Sequence, residues 1–557
     1  MTDPHVSSAN SCPAYMPLPA DASGQAPDSV SDAQIEQIAS DILGTGDRLF
    51  TDDYDSRAVR FGEEMAQLSP EDGARLVQEL LRRDSGALHS WLKLDIVDRM
   101  QNEGRMSQDE YAAIAEGFVQ AYNSGGISQE QAETFLQISA LTDRAPALVE
   151  EQFGQMRDFL AAAGTGPEAQ AFREEFAEAL LARGLGEQAA WAPHAPGLAM
   201  QIAADSGDPD MAARVFNDVL EANGGSDETR AKLLDAIGQS SIGFQNSLGG
   251  VDGLVNPLAA LIDSVAQQPD THQWNDVAVA IARYAEGSSD DIFYDSYTDE
   301  PLPELSAALG NLLTGEQGSA VLDALSEWNM SGVTGRDGHA QQAGQNAIEL
   351  GNLLRLTAFN PDSPNADGVM ATVQEWTQLR KDYLNGVQRD DYPADMSVSQ
   401  AREQLGMLGG AAFDAVQQMK IDQDNRAAAT EALVGFVIDL GLSVVPGGGK
   451  LGSLVAGDLK TAFGNNETVN GLIDQALSGG DTLSAAAITQ LKQDIAGALG
   501  EDQADLEALR TTASNFVSTS VVSGLSEGSQ ADGGQSHRDI VKTHVQNVQD
   551  DIQDNRR

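Results

Sequence analysis

A repeated local grammar constrains this chain more than any single motif. From about residue 30 to residue 330 a capping residue opens each segment, an amphipathic run of roughly 12 to 18 residues follows, and Gly or Pro closes it. Ser69-Pro70-Glu71-Asp72 puts a hydroxyl at the N-cap, proline at the first helical position and acids in the first turn, where the helix dipole favours them. Ser107-Gln108-Asp109-Glu110 and Ser128-Gln129-Glu130-Gln131 are capping boxes, with Glu110 and Gln131 placed to reach back to the serine amide. Asp208-Pro209-Asp210 and Ser226-Asp227-Glu228 begin two more helices. Inside the runs apolar residues recur at helical spacing, as in Leu76, Leu80 and Leu81, or Phe172, Phe176 and Leu180. Successive caps lie roughly twenty residues apart, so two-helix units recur near forty, the scale of a solenoid repeat. No repeated consensus accompanies that period. An irregular α-solenoid and a compact multi-helix bundle both satisfy short helices joined by short loops.

The expected fold class is all-α, with 557 residues enough for several cores. Aromatic content is only 5%, while alanine and glycine are plentiful, which favours helices packed through small side chains. The grammar divides the chain into an arm at 1–29, a repeat-like or bundled helical domain at 30–300, and a helical middle domain at 301–398. An Ala/Gly-rich C-terminal bundle follows at 399–525, then a linker and a terminal amphipathic helix at 526–557. The boundary near 300 is drawn at the acidic, aromatic, Pro-bounded stretch from Glu286 to Pro303. In the terminal helix Val541, Val545, Val548 and Ile552 form a short apolar seam that can dock on the body or on a partner.

Charge narrows the function classes. A net charge of −52, from 85 acids against 33 bases, repels nucleic-acid phosphates, so a protein partner is expected and nucleic acid is not. The acidic-aromatic cluster Thr51 to Asp55 is either a solvated loop or a site for a cation or a basic partner. The single cysteine, Cys12, excludes an intramolecular disulfide and a cysteine-based metal site. The N-terminal segment has neither the basic nor the apolar region of a Sec signal. Its Ser, Pro and Ala richness resembles the N-terminal signals of injected bacterial effectors. That resemblance implies a bacterial cytoplasmic protein exported by a Sec-independent route.

The other outstanding stretch is Ala427 to Leu459, two apolar arms joined by Pro446 and the turn Gly447-Gly448-Gly449. On a helix Glu431, Gly435, Asp439 and Ser443 follow one another at i+4 as one narrow polar or small stripe, the other faces being apolar. The run Ala432 to Val445 would span only about 21 Å, short of the roughly 30 Å hydrocarbon layer. A buried helical hairpin is one reading. Membrane insertion after a trigger is the other, since low pH would protonate Glu431 and Asp439 and lower the cost of entry. In that second reading the stretch resembles the apolar hairpin of pore-forming colicins. Val444-Val445-Pro446-Gly447-Gly448 is also similar to the hydrophobic helix and Val-Pro-Gly turn that precede the toxic module in secreted bacterial polymorphic toxins, which implies delivery and leaves activity open.

Motifs with catalytic or ligand-binding frames fail on spacing. Gly449-Lys450 lacks the glycine of a phosphate-binding loop, having Val444 there, and Leu451 replaces its hydroxyl residue. Gly524-Leu525-Ser526-Glu527-Gly528 matches a nucleophile elbow, but no sheet precedes it and the chain after it is too short for the partners, although His537 and His544 follow. Between two helices expected from His339 to Leu384, Ser363, Asn365, Asp367 and Gly368 occupy positions 1, 3, 5 and 6 of a calcium-loop frame. Position 12, however, is Gln374, and a helix-capping turn is the alternative. No other cofactor is implied. The functional expectation is a secreted bacterial effector or toxin-like helical protein, non-enzymatic, acting on a membrane or a protein partner. A soluble helical scaffold with a core hairpin, and a hydrolase effector without a sequence motif, are the alternatives.

Overall fold

The computed structural model describes residues 29–44, 52–83, 92–138, 146–186, 194–248, 255–287, 302–327, 336–360, 363–394, 396–418, 434, 438, 467–477, 485–501, 521–522, 525 and 535–555. Among them the regular elements are helices. The first half comprises α1 (Asp32–Gly44), α2 (Asp52–Met65), α3 (Pro70–Arg83), α4 (Leu94–Asn102), α5 (Gln108–Asn123), α6 (Gln129–Phe135), α7 (Pro146–Ala162) and α8 (Pro167–Ala182). Then come α9 (Ala195–Ala204), α10 (Met211–Ala222), α11 (Asp227–Leu248), α12 (Pro257–Ala266), α13 (His272–Gly287), α14 (Pro303–Thr314), α15 (Gly318–Ser326) and α16 (Arg336–Leu356). The chain continues through α17 (Ala366–Leu384), α18 (Val398–Gln418), α19 (Glu467–Leu477), α20 (Ala485–Glu501) and α21 (His537–Asn555). The all-α expectation holds.

The caps read from the sequence start the helices they were assigned to. Ser107 and Ser128 each form a complete capping box, with Glu110 and Gln131 returning the bond. Ser69 Oγ accepts from the Asp72 amide at 3.2 Å, and Ser226 Oγ accepts from the Thr229 amide at 3.1 Å. At Asp208-Pro209-Asp210 the outcome differs slightly. Asp208 Oδ1 accepts from the Asp210 amide at 3.0 Å, an Asx turn that delays the helix to Met211.

The choice between solenoid and bundle falls towards stacking in chain order. From α1 to α18 each helix packs mainly on helices within four places of it: α3 on α5, α8 on α9 and α10, α12 on α14, α16 on α18. Polar side chains repeat that period, tying each unit to the next. Ser264 Oγ donates to the Pro209 carbonyl at 2.6 Å and Gln268 Nε2 to Asp210 at 2.8 Å, across 55 and 58 residues. One unit further on, Gln317 Nε2 donates to the Gln268 carbonyl, across 49 residues. A second ladder runs from Asp263 to Asn311 at 2.7 Å and from Asn311 to Asn365 at 2.6 Å. These bonds satisfy turn carbonyls and carboxylates that the helices leave unpaired.

Seven aromatic residues gather in one cluster. Phe118, Phe135, Phe159, Phe172 and Phe176 are fully buried and, with Tyr111 and Tyr122, meet mostly edge to face around α5 to α8. Elsewhere small residues set the spacing. On α18 Gly406, Gly409 and Gly410 face His544, Val545 and Val548 of α21, close enough that an added Cβ would run into those side chains. The apolar seam of α21 therefore docks on the body, against α18 and α16, and Val541, Val545, Val548 and Ile552 are all buried.

Packing also bridges the boundaries expected at 300 and 398. Helix α12 packs on α14, and α16 on α18, within one continuous core that runs from Ile35 to Ile552. Glycine closeness at α18 gives a direct test. Gly410→Ala should destabilise the chain by about 1–3 kcal/mol in urea unfolding, because the methyl would overlap Val548. Adding Val548→Ala should recover part of that loss, while Val548→Ala alone should cost stability as a cavity.

Candidate functional site

Most of the stretch singled out in the sequence lies outside the described residues. Glu431, Gly435, Asp439, Pro446, Gly447, Gly448 and Gly449 belong to that part, while Val434 and Ile438 are helical and buried. The elbow-like Gly524 to Gly528 is likewise outside, save for the buried Leu525. His537, which follows it, is a structural acceptor: Arg402 Nε donates to its Nδ1 at 2.9 Å. Among the described residues no helix is long and apolar enough to cross a membrane.

The calcium-loop frame is interrupted. Helix α17 begins at Ala366, so Asp367 and Gly368 already sit in its first turn, both exposed, and the positions after them cannot wrap an ion. Ser363 is buried, and Asn365 donates its amide to the Ala307 carbonyl and to Asn311, docking the turn onto α14. The frame is thus a docking turn, and the Asn365 side chain makes no capping bond to the helix it precedes. The cluster Thr51 to Asp55 also has a different role from a loop. It opens α2, and Asp55 pairs with Arg99 and Arg105, so its basic partner lies within the same chain.

Two charged arrangements escaped the sequence reading. The first is a buried network joining α15, α17 and α18. Arg380 is 1% exposed; its Nε donates to Gln404 Oε1 at 2.8 Å, its Nη1 to the Trp376 carbonyl at 2.9 Å, and its Nη2 pairs with Asp323. The guanidinium lies 3.5 Å from the centre of the Trp376 ring, whose Nε1 donates to the same Asp323 at 3.0 Å. Burial pushes Arg380 down to about 10 and Asp323 opposes that shift, so the group stays charged at neutral pH. All three guanidinium nitrogens of Arg380 are directed at other members of the network, which makes it a fastener.

The second is an acidic ridge on α8 and α10, which pack on one another. Glu174, Glu175 and Glu178 from α8 stand beside Asp218 and Glu221 from α10. Arg214 serves one end, donating to Glu174 at 2.8 Å and to Asp208 at 2.9 Å. Among the described residues Glu175, Glu178 and Asp218 have no ion pair. Partial burial raises the Glu178 carboxyl above its ordinary value, and the charges of Asp218, Glu174 and Glu175 raise it further. Asp218 is raised too, by desolvation and then by Glu174 and Glu221, with Arg214 opposing. Burial together with Glu175, Glu133 and Glu178 pushes the Tyr122 hydroxyl up to about 12. The ridge is therefore a real concentration of negative potential. Its signal in the sequence was Glu174 and Glu178 at i+4 with no base interleaved, a like-charge pair that is unfavourable on an isolated helix.

No protein-family model and no curated protein matches this sequence. Among solved structures the chain is similar to SYS-1 at 11% identity and a TM-score of 0.24, over 87% of this chain and 99% of that one.

Both arrangements have measurable consequences. Arg380→Ala should cost on the order of 3 kcal/mol in urea unfolding, and Arg380→Lys should recover little, because an ammonium cannot reproduce the planar fork. The ridge acts in the opposite direction with pH. Glu178 and Asp218 bind protons more tightly in the folded chain, so they destabilise it near neutrality and that penalty fades as pH falls through their raised values. Glu79, held down chiefly by Arg82, and Asp208, held down chiefly by Arg214, contribute stability that is lost only as pH falls through their lowered values. Thermal stability should accordingly rise as pH falls from neutrality through the raised values of Glu178 and Asp218, and fall again once Glu79 and Asp208 protonate. The Glu178→Gln, Asp218→Asn double variant should melt higher than the parent at pH 7 and match it at the peak.

Proposed function

We propose that the chain is a non-enzymatic helical scaffold that holds a basic protein partner against the acidic ridge of α8 and α10. The observation that supports it is the ridge itself: Glu175, Glu178 and Asp218 stand together on adjacent helices without ion pairs, although burial and the neighbouring acids raise the proton affinity of Glu178 and Asp218. Some acids elsewhere are answered from within, as Asp55 is by Arg99 and Arg105, and Glu79 by Arg82 and Arg83. A cationic partner segment would relieve the repulsion and supply the missing counter-charges. Helices stacked in order suit such a role, because they offer a long surface made of repeated edges.

Export as a bacterial effector, and action at a membrane after acidification, draw on segments 1–29 and 427–459, which lie almost wholly outside the described residues. They remain compatible with a scaffold that works through a partner. The test uses a lysine- and arginine-rich peptide of about ten residues titrated into the full chain at low and at physiological salt. Binding should weaken steeply with salt, and the Glu175→Gln, Glu178→Gln, Asp218→Asn triple variant should lose about tenfold in affinity with a shallower salt dependence. Equal affinity of parent and triple variant would remove the reading.

A further inference from the structure

A cavity of about 240 Å³ opens between α7, α8 and the C-terminal end of α9. Its walls are largely apolar, formed by Phe153, Met156 and Leu160 of α7 and Ile202 of α9, all of them buried. Into it projects Arg173, which follows Phe172 in the buried stripe of α8 and is only 3% exposed. Its Nη2 donates to the Leu160 carbonyl at 2.5 Å, whereas its Nη1 is buried with no hydrogen-bond partner among the described residues. Burial lowers its proton affinity and the field of Asp205 opposes that change. The neighbouring polar groups are already engaged. Gln201 donates to Asp205 at 2.8 Å and accepts from the Val255 amide at 3.0 Å, and makes no bond to Arg173.

A buried guanidinium donor with no acceptor is costly, and such a group inside an apolar cavity marks the place of an anionic ligand atom. The exposed carboxylates of Asp158 and Asp205 at the rim outnumber the one base there, Arg157, which lies 3.9 Å from Asp158, and select the rest of the ligand. They repel a dianion such as phosphate and attract an ammonium group. At ~30 Å³ per water the space holds about eight waters, enough for a ligand of about ten heavy atoms. We propose that this cavity binds a small α-amino acid with an apolar side chain. Its carboxylate takes Arg173 Nη1, its side chain lies against Phe153, Met156 and Ile202, and its ammonium faces Asp158 and Asp205. This site is independent of the acidic ridge and of the partner assigned to it.

Calorimetric titration of the full chain tests the assignment with leucine, 4-methylpentanoate, 3-methylbutylamine and inorganic phosphate as probes. Leucine should bind tightest, 4-methylpentanoate more weakly, and the amine and phosphate not measurably. Arg173→Met should weaken leucine at least about tenfold. Asp205→Asn should lower leucine towards the affinity of 4-methylpentanoate and leave the latter unchanged. If Arg173→Met does not fold by circular dichroism, Ile202→Phe keeps the guanidinium and fills the cavity, and should abolish leucine binding in a cooperatively folded chain. Absence of leucine binding up to about 10 mM, unchanged affinity in a folded Arg173→Met or Ile202→Phe variant, or amine binding as tight as leucine would each overturn the proposal.

Discussion

Helices of this length cannot stand alone in water. Most run for only two to five turns, near or below the length at which an isolated helix is marginal, so each is held by the apolar stripe it shares with its neighbours. Stacking in chain order follows from that constraint. A helix pair that covers only half of its stripe leaves the other half for the next pair, and among the described residues one core takes in α1 to α18 and α21, while α19 and α20 pack on each other. The polar ladders are secondary to this. Ser264, Gln268 and Gln317 act at the ends of helices, where turn carbonyls would otherwise be sealed off from water without partners, and so fix the register that packing alone leaves loose.

How much of this was legible depended on the range of the interaction. Caps are local, set within four residues, so Ser107 and Ser128 could be assigned from sequence and are found with both bonds made. The period near forty was legible for a related reason, since it follows from counting caps. The valine seam of the last helix was legible as a seam, but its destination was not. What receives it is a run of glycines on α18 more than a hundred residues earlier, and glycine in a helix reads as easily as a packing groove as it does as a weak point. The boundaries expected at 300 and 398 rested on local composition, and local composition says nothing about whether the helices on either side pack together, as α12 and α14 do.

The functional features were harder still, because each is assembled from residues that are unremarkable where they stand. Asp323, Trp376, Arg380 and Gln404 come from three helices, and only folding turns an arginine among apolar residues into a satisfied buried charge. Arg173 looks the same in sequence, a base beside Phe172, yet it ends with one donor unanswered. The calcium-loop frame shows the error in the other direction. Its spacing was plausible, but helix propensity from Ala366 onward took the residues that the loop would have needed, and Asn365 was used to fasten the turn to α14.

The charge imbalance and the fold are connected through the arginines. Many are engaged by acids of the same chain: Arg75 joins Asp32, Asp72 and the Val30 carbonyl, Arg183 meets the buried Glu133, Arg389 bridges Asp382 and Asp391, and Arg380 lies in the core. Planar guanidinium groups suit this work, since one side chain can answer two carboxylates or a carboxylate and a carbonyl. With the bases engaged at turns and between helices, the surplus of acids is left at the surface, and the sign of the outer field follows from how the interior is fastened. A cationic partner can therefore dock on α8 and α10 without breaking an internal pair, apart from Arg214 at one edge. The same surplus explains why the cavity behind Arg173 carries acids at its mouth. An anion reaching that guanidinium passes two carboxylates and one base, Arg157, a net negative rim that favours the amino acid proposed there over a dianion.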